Sequence, residues 1–569
     1  MGKIKKYFTD ICRYIMSHKS EALYIWILVV SIIPNIVLSV VEPMEPMARI
    51  ANVLFPLGLL WLLMNCTRRI GVLVLSLFPL MFFDAFQLVL LCIYGRSIIG
   101  IDMLLNMVTT NTSEAWELLS HILIELTIVI LIYMMPLVLA FTAIYGKWRI
   151  SSKFRRSSFN TCKYVCTAGI LSFVGSCLFC KAYTPSRELF PYNVGCNIVS
   201  AVQRGEAVFN YPKTSADFRF NATDTDTLNG RTVIVVIGET SRADNWSMFG
   251  YERPTTEALD TLRGIYPFMR TMSESNTTHK SVPIMLTHLD ATNFGDSVYY
   301  VKSLPALFKE AGWDTHFISN QMRNHALIDM MASQADDCKF IKDDEGIESL
   351  DEALLPYLRE ALKSNAKNKL VILHTYGSHF SYEKRYRNSQ AMFSNATTNP
   401  SSAKNRTNLV KAYDNTIQYT SRLLHSIIQE ATRNCGDAIV VYTSDHGEDL
   451  YDDERNLFLH SSPLSSFYQL HVPFFVWLSP TYEAHNPEKV EALRMNKGKR
   501  VSSSASLFPT VVSLSGIVTP YLEDIKSLAS PSYRDVERLY INDYNESVDL
   551  KKAGFEEPDF LMLKKLDAE

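Results

Sequence analysis

The chain has 569 residues, 56 Lys+Arg against 59 Asp+Glu, a net charge of -3 and 47% apolar residues. Near-balance of charge argues against a dedicated nucleic-acid binder, which carries a basic surplus, and an aromatic content of 11% argues against a disordered acidic chain. Charge is unevenly placed: the first 182 residues are apolar with few charges, and the remainder reads as a water-soluble globular protein.

Five apolar runs reach the length of about 20 residues that a helix needs to cross a bilayer core. They are Glu21–Val41, Ile50–Cys66, Ile70–Tyr94, Leu118–Tyr145 and Tyr164–Tyr183. The basic start MGKIKK followed by an apolar run also fits a cleaved signal peptide, but the run is long and four more follow it. One set of connections holds Lys3, Lys5, Lys6, Arg13, Lys19, Arg68, Arg69, Lys147, Arg149, Lys153, Arg155, Arg156 and Lys163; the other holds only Arg49 and Arg96. Basic residues stay on the cytoplasmic side. The N-terminus is therefore expected in the cytoplasm and, after five spans, everything beyond about residue 184 outside it.

The connection after the third span reads GIDMLLNMVTTNTSEAWELL, and a helix is expected near residues 101–117. Asn106, Thr110 and Glu114 are spaced i, i+4, i+8 and would share a face. On spacing alone the wet face of an interfacial helix explains them as well. Residues 184–231 read as a linker with one short helix near Asn193–Arg204.

The remainder, 232–569, alternates strand-like and helix-like segments. TVIVVIGET is a continuous β-branched run of the kind that suits a buried parallel strand. Further runs occur at Asp314–Ser319, Lys369–His379, Asp437–Asp449 and His471–Ser479, with helical stretches at Ser303–Ala311, Leu350–Ser364 and Val410–Thr432. This order predicts an α/β layered domain with a mainly parallel sheet, whose ligand site lies beyond the carboxyl ends of the strands. Asn388–Arg406, rich in Ser, Asn and Thr, reads as an exposed loop.

Chemistry-bearing residues gather at those strand ends. Glu239 ends the first strand, His374 and His379 follow the Lys369 strand, and Asp445, His446 and then His460 follow the Asp437 strand. Carboxylate and imidazole together are zinc ligands. In SESNTTHKSVP, Thr277 and Thr278 offer hydroxyl nucleophiles just before an apolar, potentially helical stretch, although a Thr-Thr pair there also reads as a plain helix cap. Of the ten cysteines only Cys196, Cys338 and Cys435 fall in the exported part, so at most one disulfide is expected there.

At these residues the chain resembles the membrane-bound phosphoethanolamine transferases that modify lipopolysaccharide, including the mobile colistin-resistance enzymes. VIGETSRADNWSMFGYERPTT, TTHKSVP, LHTYGSHFSYEKRY, YTSDHGEDL and NLFLHSSP are similar to that family's segments, and NMVTTNTSEAWEL resembles its membrane-side loop. The resemblance implies a multi-span α-helical membrane domain (1–183) plus a sulfatase/alkaline-phosphatase-like periplasmic domain (232–569) in the cell inner membrane. It implies one catalytic Zn2+, with a second left open, held by Glu239, Thr278, Asp445 and His446. Thr278 is then the nucleophile, and His379 and His460 stand near the phosphoethanolamine group or a second zinc. His374 is a supporting residue, and Asn106, Thr110 and Glu114 meet the donor lipid. The family's phosphate-contacting lysine has no clear match, and Arg323 in SNQMRN is expected to substitute for it. The implied donor is phosphatidylethanolamine and the acceptor lipid A or lipopolysaccharide core, in a monomeric membrane enzyme without nucleic-acid partners. The sulfatase motif C/S-x-P-x-R does not follow the GET strand, and three exported cysteines cannot supply the several disulfides of the lipid A enzymes. A glycerophosphate transferase of the lipoteichoic-acid-synthase type and a catalytically silent membrane scaffold are the competing readings.

Overall fold

The structure is a computed structural model that describes residues 16–109, 112–225, 230–343, 350–394, 396–397 and 403–568. The chain forms two compact units, one of Met1–Leu104 with Ile122–Ala201, the other of Leu105–His121 with Val202–Glu569.

In the first unit the helices are α1 (Lys19–Val30), α2 (Ile33–Val41), α3 (Pro46–Met64), α4 (Ile70–Ser76), α5 (Phe78–Tyr94), α8 (Leu123–Tyr145) and α9 (Ser152–Phe179). In the intervening segment, which belongs to the second unit from Leu105 on, α6 spans Ile101–Thr109 and α7 spans Thr112–Leu119. Among the described residues, four stretches are long and apolar enough to cross a membrane, and five if the bent pair α4–α5 counts as one span. The third expected span is thus not one helix: it bends by 56° at Leu77. Pro79 explains the break, because it has no N–H for the Leu75 carbonyl four residues back and its ring crowds that turn. The first span breaks at Ser31–Ile32 for the same reason. Pro34 frees the Val30 carbonyl, which accepts instead from Tyr133 Oη on α8 at 2.9 Å. The last span begins twelve residues before the expected Tyr164, since Lys153, Arg155 and Arg156 prolong the helix beyond its apolar part. Helices α3 and α9 pack closely at Gly58, where a side chain would come within 2.7 Å of the Cys166 backbone.

The stretch read as a linker is largely helical: α10 runs Tyr192–Thr214 rather than Asn193–Arg204.

The second unit is built on a seven-stranded sheet: β1 (Arg231–Gly238), β2 (Ile265–Pro267), β3 (Asp314–Ser319), β4 (Asp337–Phe340), β5 (Lys369–His374), β6 (Asp437–Ser444) and β7 (Phe474–Leu478). Their spatial order is β2-β7-β6-β1-β5-β3-β4. The five strands from β6 to β4 run parallel; β7 alone is reversed, antiparallel to both of its neighbours β6 and β2. Every residue of β1 and β6 is buried, as expected where helices cover both faces of a parallel sheet. Val233, Val235 and Ile237 join a core with α11 (Thr278–Met285) and α13 (Ser503–Ser515), through Val282, Ile284, Leu507 and Val511. The alternate residues Ile234 and Val236 are equally buried and point to the opposite face. There α12 (Arg406–Asn434) packs on β6. The strand runs Lys369–His379 and Asp437–Asp449 end earlier than expected, at His374 and Ser444, and the residues that follow form the turns of the site. Cys196, Cys338 and Cys435 are all free thiols.

Candidate active site

Three adjacent parallel strands, β5, β1 and β6, deliver their carboxyl ends to one place. Glu239 follows β1, and Asp445 and His446 follow β6, in register with it at Gly238–Ser444. Thr240 sits at φ +56°, an uncommon conformation for a β-branched residue and a mark of a turn held by its surroundings. Its N–H donates to Asp445 Oδ1 at 3.0 Å and its hydroxyl to Glu239 Oε1 at 2.7 Å. Gly377 is fixed by the same turn: a side chain there would lie 2.5 Å from the Glu239 carbonyl.

Thr277 and Thr278 separate into two roles. Thr277 occupies the cap position of α11, but its hydroxyl bonds Ser275 Oγ and caps nothing. Thr278 is the first helical residue and is half-buried. Its Oγ1 lies 3.3 and 3.2 Å from the two Glu239 oxygens and 3.2 Å from His446 Nε2. His446 Nε2 is 3.3 Å from Asp445 Oδ2 and 3.6 Å from Glu239 Oε1. On the other side of the ring, His446 Nδ1 donates to the Gly447 carbonyl at 3.0 Å, which leaves the Nε2 lone pair facing the cluster. His460 stacks on His446 with ring centroids 4.2 Å apart, and Glu448 Oε1 holds its Nδ1 at 2.9 Å.

This donor set fits a divalent cation. Asp445 Oδ2 is buried with no hydrogen-bond partner, and among the described residues no Lys or Arg pairs with Glu239 or Asp445. Ligand atoms of Glu239, His446 and His460 all lie within 4.8 Å of one another. Burial, and then the charge of Asp445, push the Glu239 carboxyl far above the usual carboxylate range. Two buried carboxylates side by side, with no cationic side chain among the described residues to meet them, are what a cation at this point would satisfy.

The other expected residues are placed as follows. His379 stacks on Tyr376 at 5.2 Å and lies 5.9 Å from His460. His374 is buried behind the cluster, its Nδ1 3.3 Å from Ser319 Oγ, and burial lowers it to about 4. Arg323 is engaged by an acid and a ring: it pairs with Asp343 at 3.0 Å and lies over Phe340. Asn106 is half-buried on α6, Thr110 lies outside the described residues, and so does the side chain of Glu114 on α7. Sequence reasoning misses Gln321, whose Nε2 donates to the Thr375 carbonyl at 2.9 Å and reaches Glu239 Oε2 at 3.4 Å. It also misses the pair that orients His460, in which Tyr382 Oη donates to Glu448 Oε2 at 2.7 Å. Glu448 stands in the SDHGE segment and is findable there; Tyr382 meets it only through the fold.

The segment leading to Thr278 carries another buried acid. Glu274 accepts from the Ala291 N–H at 3.2 Å. Burial, together with the nearby Asp290 charge, raises its carboxyl from 4.5 to about 8. Between those values the folded chain keeps a proton that the unfolded chain has released, so stability falls as pH rises through that window. A tenfold difference in proton affinity between the two states corresponds to about 1.4 kcal/mol. Thermal unfolding of the full chain in detergent, from pH 5 to 8, is expected to show this decline and Glu274→Gln to flatten it. An unchanged slope in the variant would refute the assignment.

Residues 231–517 match the sulfatase family. The phosphoethanolamine transferase EptC of Escherichia coli O18:K1:H7 (strain RS218 / NMEC) is 28% identical over 333 residues, 56% of each chain. The chain spans about half the length of the curated relatives it matches. The crystal structure of the C-terminal periplasmic domain of EptC from Escherichia coli, in complex with Zn, superposes with a TM-score of 0.52 at 25% identity, covering 59% of this chain and 96% of that one. The integral membrane lipooligosaccharide phosphoethanolamine transferase A of Neisseria meningitidis shares the fold, with a TM-score of 0.69 at 20% identity over 90% of this chain and 99% of that one. The family match spans all seven strands of the sheet and the turns that carry Glu239, Thr278, Asp445 and His446, and on that ground the chain belongs to the sulfatase family.

Proposed function

We propose that the protein transfers phosphoethanolamine from phosphatidylethanolamine to lipopolysaccharide, on lipid A or core, through a covalent adduct on Thr278. The observation that carries this reading is the position of Thr278 Oγ1, 3.2 Å from both a buried carboxylate and a histidine nitrogen at the start of a helix. The EptC relative supports the choice of group transferred, and the spans in the first unit fit amphiphilic substrates.

Glu239, Asp445, His446 and Thr278 would hold a zinc ion, which when bound supplies Lewis-acid charge beside the threonine and phosphoryl oxygens. Thr278 Oγ1 gives up its proton to solvent as it attacks phosphorus, and the new O–P bond forms as the bond to the diacylglycerol oxygen breaks. The first-turn N–H groups of α11 add positive potential where charge builds. The proton that diacylglycerol needs is assigned to His379. His460 is the weaker candidate, because burial and the neighbouring His446 and His379 hold it neutral, and Glu448 takes its Nδ1 side. A lipopolysaccharide phosphate or hydroxyl then attacks the adduct and frees Thr278. The five-span reading, with the N-terminus in the cytoplasm, puts this unit on the outer face of the inner membrane.

Mass spectrometry of lipid A and core from cells with and without the protein tests the reading. A gain of one phosphoethanolamine is expected, and the fragment carrying it identifies the acceptor. A glycerophosphate on Thr278, or no change in either fraction, would overturn it.

A further inference from the structure

Glu117, on α7, is bound to a distant part of the second unit. It accepts from the Ser381 N–H at 3.1 Å, Arg385 Nη2 at 2.7 Å and Lys384 Nζ at 3.0 Å. Its side chain and that of Arg385 are only 10% and 9% exposed. A nearly buried carboxylate with three donors, two of them cationic, is a strong and directional clamp. Arg385 carries the connection further. Its Nε donates to the His379 carbonyl at 2.9 Å and its guanidinium lies 4.3 Å over Tyr376, the ring on which His379 stacks. Helix α7 and the preceding α6 also expose apolar side chains. Trp116, next to Glu117, is 65% exposed, Val108 is 79% and Met107 47% exposed. A segment that is anchored through polar contacts and also carries bare apolar groups suits the receipt of hydrocarbon.

We propose that Glu117 is a positioning residue: it pins α7 to the His379 segment so that Met107, Val108 and Trp116 receive the acyl portion of the phospholipid whose headgroup reacts at Thr278. This rests on the reading of the donor as a phospholipid. A donor without acyl chains has no use for the pinned helix, and Arg385 keeps its bonds to His379 and Tyr376 when Glu117 is removed. The two substrate types therefore separate the clamp from general damage.

The test uses full-length wild type, Glu117→Ala and Glu117→Asp. Each is assayed on phosphatidylethanolamine vesicles and on the water-soluble ester p-nitrophenyl phosphoethanolamine. For Glu117→Ala, kcat/KM on vesicles is expected to fall by about tenfold or more, carried by KM, with activity on the ester within about twofold of wild type. Glu117→Asp is expected to lie between the two. Zero-length carbodiimide coupling of the wild type is expected to yield a Glu117–Lys384 linked peptide. An equal loss on both substrates, or no loss on either, overturns the proposal. Should the wild type act on neither substrate, the phospholipid reading fails and the lipid-receiving role with it, while the cross-link still decides the clamp: its absence overturns that part too.

Discussion

Thr278→Ala is expected to lower transfer by at least about 1,000-fold, because it removes the hydroxyl that the proposed mechanism uses to carry the group between donor and acceptor. The fold should survive. Thr278 is half-buried, and its hydroxyl is not used to cap α11, so the helix loses no bond on truncation. Thr278→Ser keeps an oxygen between Glu239 and His446 and is expected to retain a measurable part of the activity. Thr277→Ala removes a hydroxyl committed to Ser275 and is expected to have a small effect by comparison. Two measurements check the set: the rate of headgroup transfer in vesicles, and intact-protein mass spectrometry after brief exposure to donor without acceptor. The adduct should appear on wild type and on Thr278→Ser, and not on Thr278→Ala. An adduct that survives Thr278→Ala would assign the nucleophile elsewhere.

Glu239→Gln is expected to separate activity from stability. The carboxylate is one of two buried acids that meet without a Lys or Arg partner among the described residues. Replacing it should abolish activity and cut zinc content, read by elemental analysis of purified protein. In chelator-treated protein the same change should raise stability, by about 1–2 kcal/mol, since an amide is easier to bury than an ionisable acid that must hold a proton. Zinc should reverse the ranking by stabilising wild type and not the variant. A Glu239→Gln protein that is less stable than wild type in chelator would mean that the carboxylate is satisfied by the chain itself, and the metal reading would lose its footing.

The parts of this architecture that are legible in sequence are those where one local signal is enough. β1 and β6 are uninterrupted apolar runs, and a strand buried on both faces needs no other mark. Glu239, Asp445 and His446 can be placed together because each follows such a run. The bend at Leu77 is written in Pro79 but hidden inside a run apolar enough to pass as one helix. The short antiparallel strand Ile265–Pro267 has no signal of its own; it exists because β7 offers an open edge. Arg323 had only its charge and its neighbourhood to recommend it, and the fold sets an acid, Asp343, beside it. Glu117 illustrates the opposite case: one acidic residue on a short helix becomes informative only when Ser381, Lys384 and Arg385 fold against it.

The bare oxygen of Asp445 has a physiological corollary. The sheet beneath it carries a hydrocarbon core of Val233, Val235, Ile372, Val441 and their neighbours, whose cohesion comes from packing. On the proposed reading, scarcity of the metal would then leave a standing reserve of intact but idle protein, and replenishment would restore transfer ahead of any new synthesis.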